Sequence, residues 1–174
     1  MDFTTRRSIR KYEEKAVEKE KVDEILKAAL LAPTGKNTRA TEFIVVDDKE
    51  LIEKISLMRE HGSEFVKNAP LVIGVMGDGE KTTTLIEDCS IAAFAIQVKA
   101  HELGLGSCWV QVNQRTTADG TLSGDYFKNL TGAPANLTVA CVVALGYPPS
   151  EQKPLYTEKD VNMTRVSYNK YGNR

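Results

Sequence analysis

Cysteine is too sparse in this chain to build it. Cys89, Cys108 and Cys141 are the only three, they lie far apart, and no two form a C-x-x-C pair. That spacing excludes a disulfide framework and a zinc ribbon, and leaves reduced, mostly buried thiols in a cytoplasmic protein. Histidine is scarcer still. His61 and His101 each stand beside charged residues on a helix or helix end and read as surface side chains, and nothing has metal-ligand spacing. The longest strongly apolar run, Leu137 to Leu145, is far too short to cross a bilayer, and the polar, basic start has no apolar core of a secretion signal. A dominant charge is absent as well. Lys and Arg total 23 against 24 Asp and Glu, for a net charge of −1, so the chain is not broadly built to bind nucleic acid. There is no G-x-G-x-x-G fingerprint, no phosphate-binding G-x-x-x-x-G-K-[ST] loop and no G-x-S-x-G elbow. What remains is 174 residues, 41% hydrophobic and 27% charged, with no repeat or linker, which fits one globular domain, 1–174.

Against that plain background one stretch stands out. Arg6-Arg7-Ser8-Ile9-Arg10-Lys11 places four cations and a hydroxyl in six residues, with no acid after Asp2 until Glu13. Guanidinium forks match phosphate and carboxylate oxygens, and serine adds a donor. If the stretch is extended, alternation sends Arg6, Ser8 and Arg10 one way and Arg7, Ile9 and Lys11 the other. Ile9 then lies against a core. The alternative is a solvated basic tip. Phosphate-gripping arginines without an evident acid, base or nucleophile point to a cofactor that carries the chemistry.

Periodicity supplies the elements. Val22, Ile25, Leu26, Ala29 and Leu30 mark a helix over Glu18–Leu31, stopped by Pro33. The turn-forming run Pro33 to Arg39 follows as a loop, then a strand over Glu42–Asp47 and a short helix capped by Asp47 or Asp48. A buried strand covers Pro70–Met76, closed by Gly77-Asp78-Gly79. The longest helix covers Thr83–Leu103, with Leu85, Cys89, Ala92, Ile96, Lys99 and Leu103 at nearly heptad spacing and a small-residue face suited to a subunit interface. Gly104 ends it, a strand runs to Val112, a short helix covers Asp125–Leu130, and Leu137–Gly146 is the strongest strand. Residues 155–174 cannot form a core and must drape over the domain or a partner.

Taken together, four segments resemble the FMN-dependent nitroreductase family. They are Arg6 to Tyr12, the helix leading into Ala32-Pro33-Thr34-Gly35-Lys36-Asn37, Gly104-Leu105-Gly106-Ser107-Cys108-Trp109, and Gly146-Tyr147-Pro148. Their order and spacing match over roughly residues 3 to 155. The resemblance implies an α+β fold with a mostly antiparallel central sheet between helices, and an obligate homodimer with FMN at the interface, which the long helix helps to form. Arg6, Arg7, Ser8 and Arg10 match the motif for FMN phosphate and ring-edge contacts. Pro33, Thr34, Gly35 and Asn37 match the loop that reaches the flavin of the other subunit. Gln111 lies near the family's backbone donors to flavin N5, and Lys153 matches a cation near the phosphate or the pyrimidine end of the ring.

The implied activity is hydride transfer from NAD(P)H through FMN to a nitroaromatic, quinone or similar small acceptor by a ping-pong mechanism, with no catalytic side chain of the protein's own and no metal. Other readings are a dehalogenating or flavin-modifying family member, and a module that binds FMN or another phosphorylated ligand without turnover. Thr38-Arg39-Ala40-Thr41 replaces the family's Gln-Pro-Trp-like run, and the chain is too short for an inserted lid. Both features imply an open, permissive pocket.

Overall fold

The computed structural model describes residues 3–173. At its centre are two strands with almost no solvent on either side, β2 (Leu71–Asp78) and β4 (Leu137–Gly146). Their uninterrupted apolar runs are the composition of strands covered on both faces. β1 (Thr41–Val46) and β3 (Gly106–Gln111) flank them in the order β1-β2-β4-β3, with every pairing antiparallel. β2 runs to Asp78, past the glycine expected to close it, because Thr41 on one side and Leu137 and Thr138 on the other hold its end in register. A bulge lies in β4: Val75 pairs with Cys141 and Met76 with Val139. The extra residue, Ala140, turns its carbonyl to the N–H groups of Val112 and Asn113 at 3.3 and 3.1 Å.

Alternation along the two central strands builds a core on each face. Leu71, Ile73, Val75, Cys141, Val143 and Leu145 face α1 (Lys19–Leu30) and α3 (Leu85–Glu102). Val72, Met76, Val142 and Ala144 face α2 (Lys49–Ile55) and α4 (Ser123–Thr131), where Ile52, Ile55 and Phe127 are fully buried. Asp48 caps α2, its Oδ1 accepting from the Leu51 N–H at 2.7 Å, a contact worth about 1 kcal/mol. The α+β architecture expected from the sequence, an antiparallel sheet between helices, is the one observed.

The long helix differs from expectation in one respect. Its small residues Ala92, Ala93 and Ala100, with Cys89 and Ile96, are buried against the sheet and α1 rather than offered to a partner. The outward face instead carries Ile91 and Phe94, 42% and 45% exposed. Lys99, the exception in the heptad pattern, pairs with Glu102 at 2.9 Å. Beyond Gly146 the chain loses regular structure except for short turns at Glu158–Asp160 and Met163–Arg165. Leu155 donates its N–H to the Thr4 carbonyl at 2.8 Å, while Val161, Met163 and Tyr168 lie exposed. Among the described residues no helix is long and apolar enough to cross a membrane.

Gly74 sits in β2 directly beneath the Phe127 ring, where an added Cβ would stand 2.5 Å from Cζ and 2.8 Å from Cε1. The Phe127 side chain is fully buried and has no room to retreat. Gly74→Ala is therefore expected to cost about 1–3 kcal/mol, the scale of overpacking a filled core. Chemical denaturation at fixed protein concentration measures it, and unchanged stability would mean that α4 can ride away from the sheet.

Candidate functional site

The basic stretch does not wave free. Ser8 bridges Ser107 in parallel, and the Ile9 N–H donates to the Ser107 carbonyl at 2.9 Å. The Ile9 side chain lies flat on Gly106, where a Cβ would come within 2.8 Å of it. Tyr12 closes the segment from below: its hydroxyl donates to the Ile9 carbonyl at 2.6 Å, and the Glu13 N–H reaches the Tyr147 carbonyl at 2.9 Å. Burial first, then the neighbouring Cys108, push the Tyr12 phenol well above its ordinary value, so it stays a donor. Residues 8–13 are thus laid across the start of β3 and the end of β4.

This anchoring spreads the cations along an extended backbone. Burial raises the Cys108 thiol, while Arg10, a hydrogen bond with Ser8, and Arg6 pull it back. Arg7 donates from Nη2 to the Lys153 carbonyl. Arg10 lies over the Phe65 ring, 5.7 Å from its centroid, an arrangement that orients the guanidinium without spending its donors. The result is a cleft of about 710 Å³ lined by Arg7, Ser8, Arg10, Lys11, Glu151 and Lys153 among others, four cations against one acid. Within it the Arg7 Nε is buried and has no hydrogen-bond partner. A buried charged donor left unpaired is costly, and an anion in the cleft removes that cost.

A second cluster fixes where this cleft closes. Tyr147 donates its hydroxyl to Glu18, and Lys21 Nζ donates to the Tyr147 hydroxyl at 2.8 Å and to the Leu103 carbonyl at 3.2 Å. Lys15 Nζ sits 3.8 Å from the centre of the same ring. The start of α1, the end of α3 and the turn after β4 are tied together there, which directs the chain from Pro148 toward Lys153.

The loop Pro33–Arg39 lies elsewhere. The Gly35 N–H donates to Asp88 Oδ1 at 2.8 Å, near the first turn of α3. The basic stretch, by contrast, is tied to the far end of α3 through Thr5 Oγ1 and His101 Nε2, 2.8 Å apart. Thirteen residues of helix separate these anchors, about 20 Å at 1.5 Å per residue. So Arg7, Ser8, Arg10 and Lys153 are brought together at the cleft, with Arg6 next to Arg7 in the chain but outside the cleft's lining, while Pro33, Thr34, Gly35 and Asn37 are held away from them in the same chain. Gln111 is at the far end of β3, about 13 Å along the strand from Ser107. Its side chain is occupied internally, Oε1 accepting from Trp109 Nε1 and Nε2 donating to the Asn113 carbonyl, both at 3.1 Å, which leaves only its backbone for a ligand.

Sequence reasoning overlooked Tyr12 and Asp88. An aromatic directly after a basic run, and an acid heading an otherwise apolar helix behind Thr82-Thr83-Thr84, were the available signals. His101 is half-buried in its contact with Thr5 rather than a free surface residue. Among the described residues no group of three or more His, Cys, Asp or Glu side chains could hold a metal ion.

An antiparallel α+β sandwich with an anion-ready cleft at one sheet end defines a class, and comparison with known proteins specifies it. The nitroreductase family profile matches residues 3–58 and 54–147. An FMN-dependent nitroreductase from Clostridium difficile R20291 superposes with a TM-score of 0.93 at 48% identity, over 97% of each chain. A protein of Archaeoglobus fulgidus, provisionally named an NADH dehydrogenase/NAD(P)H nitroreductase, is 35% identical over 171 residues, 96% of this chain and 95% of its own. One with the same provisional name from Methanothermobacter thermautotrophicus is 39% identical over 147 residues, 83% and 74% of the two chains. The chain belongs to the nitroreductase family.

The Tyr147 tether has a pH signature. Its hydrogen bond from Tyr147, with help from Lys15 and Lys21, holds the Glu18 carboxyl at about 2, against an ordinary 4.5. A depressed acid stabilises the fold above its unfolded value and loses that contribution as pH falls through its folded one. Glu18→Gln should therefore melt below wild type near neutrality and converge with it between pH 4.5 and about 2. The gap should be small, since the group is exposed to solvent. A gap independent of pH would mean that the carboxylate charge plays no part.

Proposed function

We propose that this protein is an FMN-dependent NAD(P)H oxidoreductase that reduces a small acceptor such as a nitroaromatic or a quinone, and that it works as a homodimer with each flavin shared between subunits. The observation that carries the reading is the cleft at Arg7, Ser8, Arg10, Lys11 and Lys153, with its buried, unpartnered Arg7 Nε. These residues fit a phosphate monoester: guanidinium forks, a hydroxyl and a lysine offer charge-assisted donors around one anion. The names of the similar proteins, an FMN-dependent nitroreductase and NAD(P)H nitroreductases, support the same cofactor and electron donor.

The length of α3 supports a site shared between subunits. In one chain the cation cleft is tied to the end of that helix and the Pro33–Arg39 loop to its start. The exposed Phe94 lies midway between the two anchors, with Ile91 one turn nearer the start and Phe3 stacked on Phe94 at 6.3 Å. An isologous contact through that midpoint places the start of one α3 beside the end of the other. Each loop then meets the partner's cleft, and two sites form. The apolar side chains of the tail, exposed on their own subunit, are covered in such a dimer.

When bound, FMN supplies the redox chemistry, taking a hydride from NAD(P)H and returning it to the acceptor that replaces the nucleotide in the same pocket. The protein's residues bind and orient. Arg7, Ser8 and Arg10 hold the phosphate, and Lys153, whose carbonyl is already bound to Arg7, adds its charge at that end. Arg6, next to Arg7 in the chain, would add its charge nearby. With FMN bound, Pro33, Thr34, Gly35 and Asn37 of the other subunit would wall the ring, and the Gln111 backbone would be the donor available to it. With no inserted lid, acceptors enter from an open side, and a single pocket used in turn gives ping-pong kinetics.

Purified protein should release FMN on denaturation and oxidise NAD(P)H in the presence of a nitroaromatic or quinone, with parallel double-reciprocal lines. Arg6→Ala and Arg10→Ala should each weaken FMN binding by about 1.5–3 kcal/mol, the range for hydrogen bonds to charged groups, while the folded protein survives. Flavin titration followed by fluorescence measures this. FMN binding without turnover would make the chain a binding module, and unchanged affinity in both variants would mean that neither guanidinium contacts the cofactor.

A further inference from the structure

Asp88 is 2% exposed, and the donors recorded for its carboxylate are all neutral. Oδ1 accepts from the Gly35 N–H at 2.8 Å and faces the Thr84 hydroxyl at 3.2 Å, and Oδ2 accepts from Thr82 at 3.1 Å and Thr84 at 3.1 Å. A carboxylate is rarely buried this deeply without a cation unless its lone pairs are satisfied by fixed donors. Here the donors come from two places in the chain, the turn before α3 and the Pro33–Arg39 loop. The loop rests so closely on this platform that a Cβ on Gly35 would fall inside the contact distance of Thr84 Oγ1.

What the platform holds is an unfavourable backbone. Lys36, Asn37 and Arg39 have φ of 52°, 55° and 49°, three non-glycine residues in the left-handed region within four positions. Conformations of this kind persist only where the surroundings over-determine them, and they gather at functional sites. Inside the loop, Arg39 donates its N–H to Thr34 Oγ1 at 3.0 Å and its Nε to Asn37 Oδ1 at 3.1 Å, which links Asn37 back to the segment Asp88 grips. The Thr38 hydroxyl is buried with no partner, so the loop does not satisfy itself.

We infer that Asp88 is a positioning residue for the flavin site: through the Gly35 N–H it fixes the left-handed turn that aims Asn37 across the subunit interface. The inference rests on the shared-site reading above. It assigns to a buried acid of one subunit control over cofactor binding in the other, without contact between that acid and the cofactor.

The test compares Asp88→Ala, Asp88→Asn and Gly35→Ala with wild type. Asn keeps the shape and one acceptor for Gly35, and its amide can donate to hydroxyls that are free to rotate. The expected result is an FMN dissociation constant raised about tenfold in Asp88→Ala, the scale of one charge-assisted contact, with an altered visible circular dichroism of the bound flavin. Asp88→Asn should restore both toward wild type even if its melting temperature stays low. Gly35→Ala lifts the loop from Thr84 while leaving Asp88 intact, and should reproduce the Asp88→Ala flavin phenotype if Asp88→Ala does not fold. Lowered melting temperatures with wild-type flavin affinity and dichroism in both Ala variants would overturn the inference and leave Asp88 a purely structural residue. If wild-type protein takes up no FMN, the functional reading fails first, and this inference fails with it.

Discussion

The length of one helix sets how far apart this protein holds the segments from which the proposed site is built. α3 is long enough to hold its two functional segments about 20 Å apart: the basic stretch at one end through Thr5 and His101, the strained loop at the other through Asp88. On the proposed reading neither half suffices alone: the cleft has cations but no wall for a ring, and the loop has an exposed Asn37 but no cluster of cations. The sheet keeps this separation rigid because β2 and β4 are buried on both faces and pack α3 through Cys89, Ala92, Ala93 and Ile96. A packed core of this density transmits position rather than absorbing it.

The division of labour on α3 explains a choice of residues that composition alone leaves ambiguous. Its inward face is small, so the helix approaches both the sheet and α1. Its outward face is large and apolar at Ile91 and Phe94. Small residues imply close approach, but the sequence does not say to what. The heptad-like spacing pointed to a partner subunit, and the structure assigns that stripe to the protein's own core. The exposed apolar surface of the helix, at Ile91 and Phe94, lies a quarter-turn or more around from that stripe.

Much of the fold was legible because its signals were local. The apolar run Leu137–Gly146 and the 3.6-residue pattern of α1 each mapped onto the observed element within a residue. In the Arg6–Lys11 stretch, Ile9 betrayed that the segment lies on a core. The contacts that hold the site were not legible. Tyr12 bonds a carbonyl three residues back only because β4 supports its ring, and Asp88 meets Gly35 across 53 positions. Lys153 joins Arg7 through its backbone, which no side-chain pattern encodes. The left-handed turn at Lys36 and Asn37 was hidden for a related reason: tertiary hydrogen bonds impose it on residues that do not prefer it.

The central claim is that each site draws Arg6 from one chain and Asn37 from the other. The most direct measurement pairs two differently tagged variants, one carrying a disabling change at Arg6 and one at Asn37, each inactive as its own homodimer. In a mixed dimer, confirmed by both tags, one site collects both lesions and the other receives an intact Arg6 and an intact Asn37. The account predicts that NAD(P)H oxidation returns in the mixed dimer, from that one site. If both residues served the same chain's flavin, every site would keep a lesion, and a verified mixed dimer that stays inactive would contradict the account.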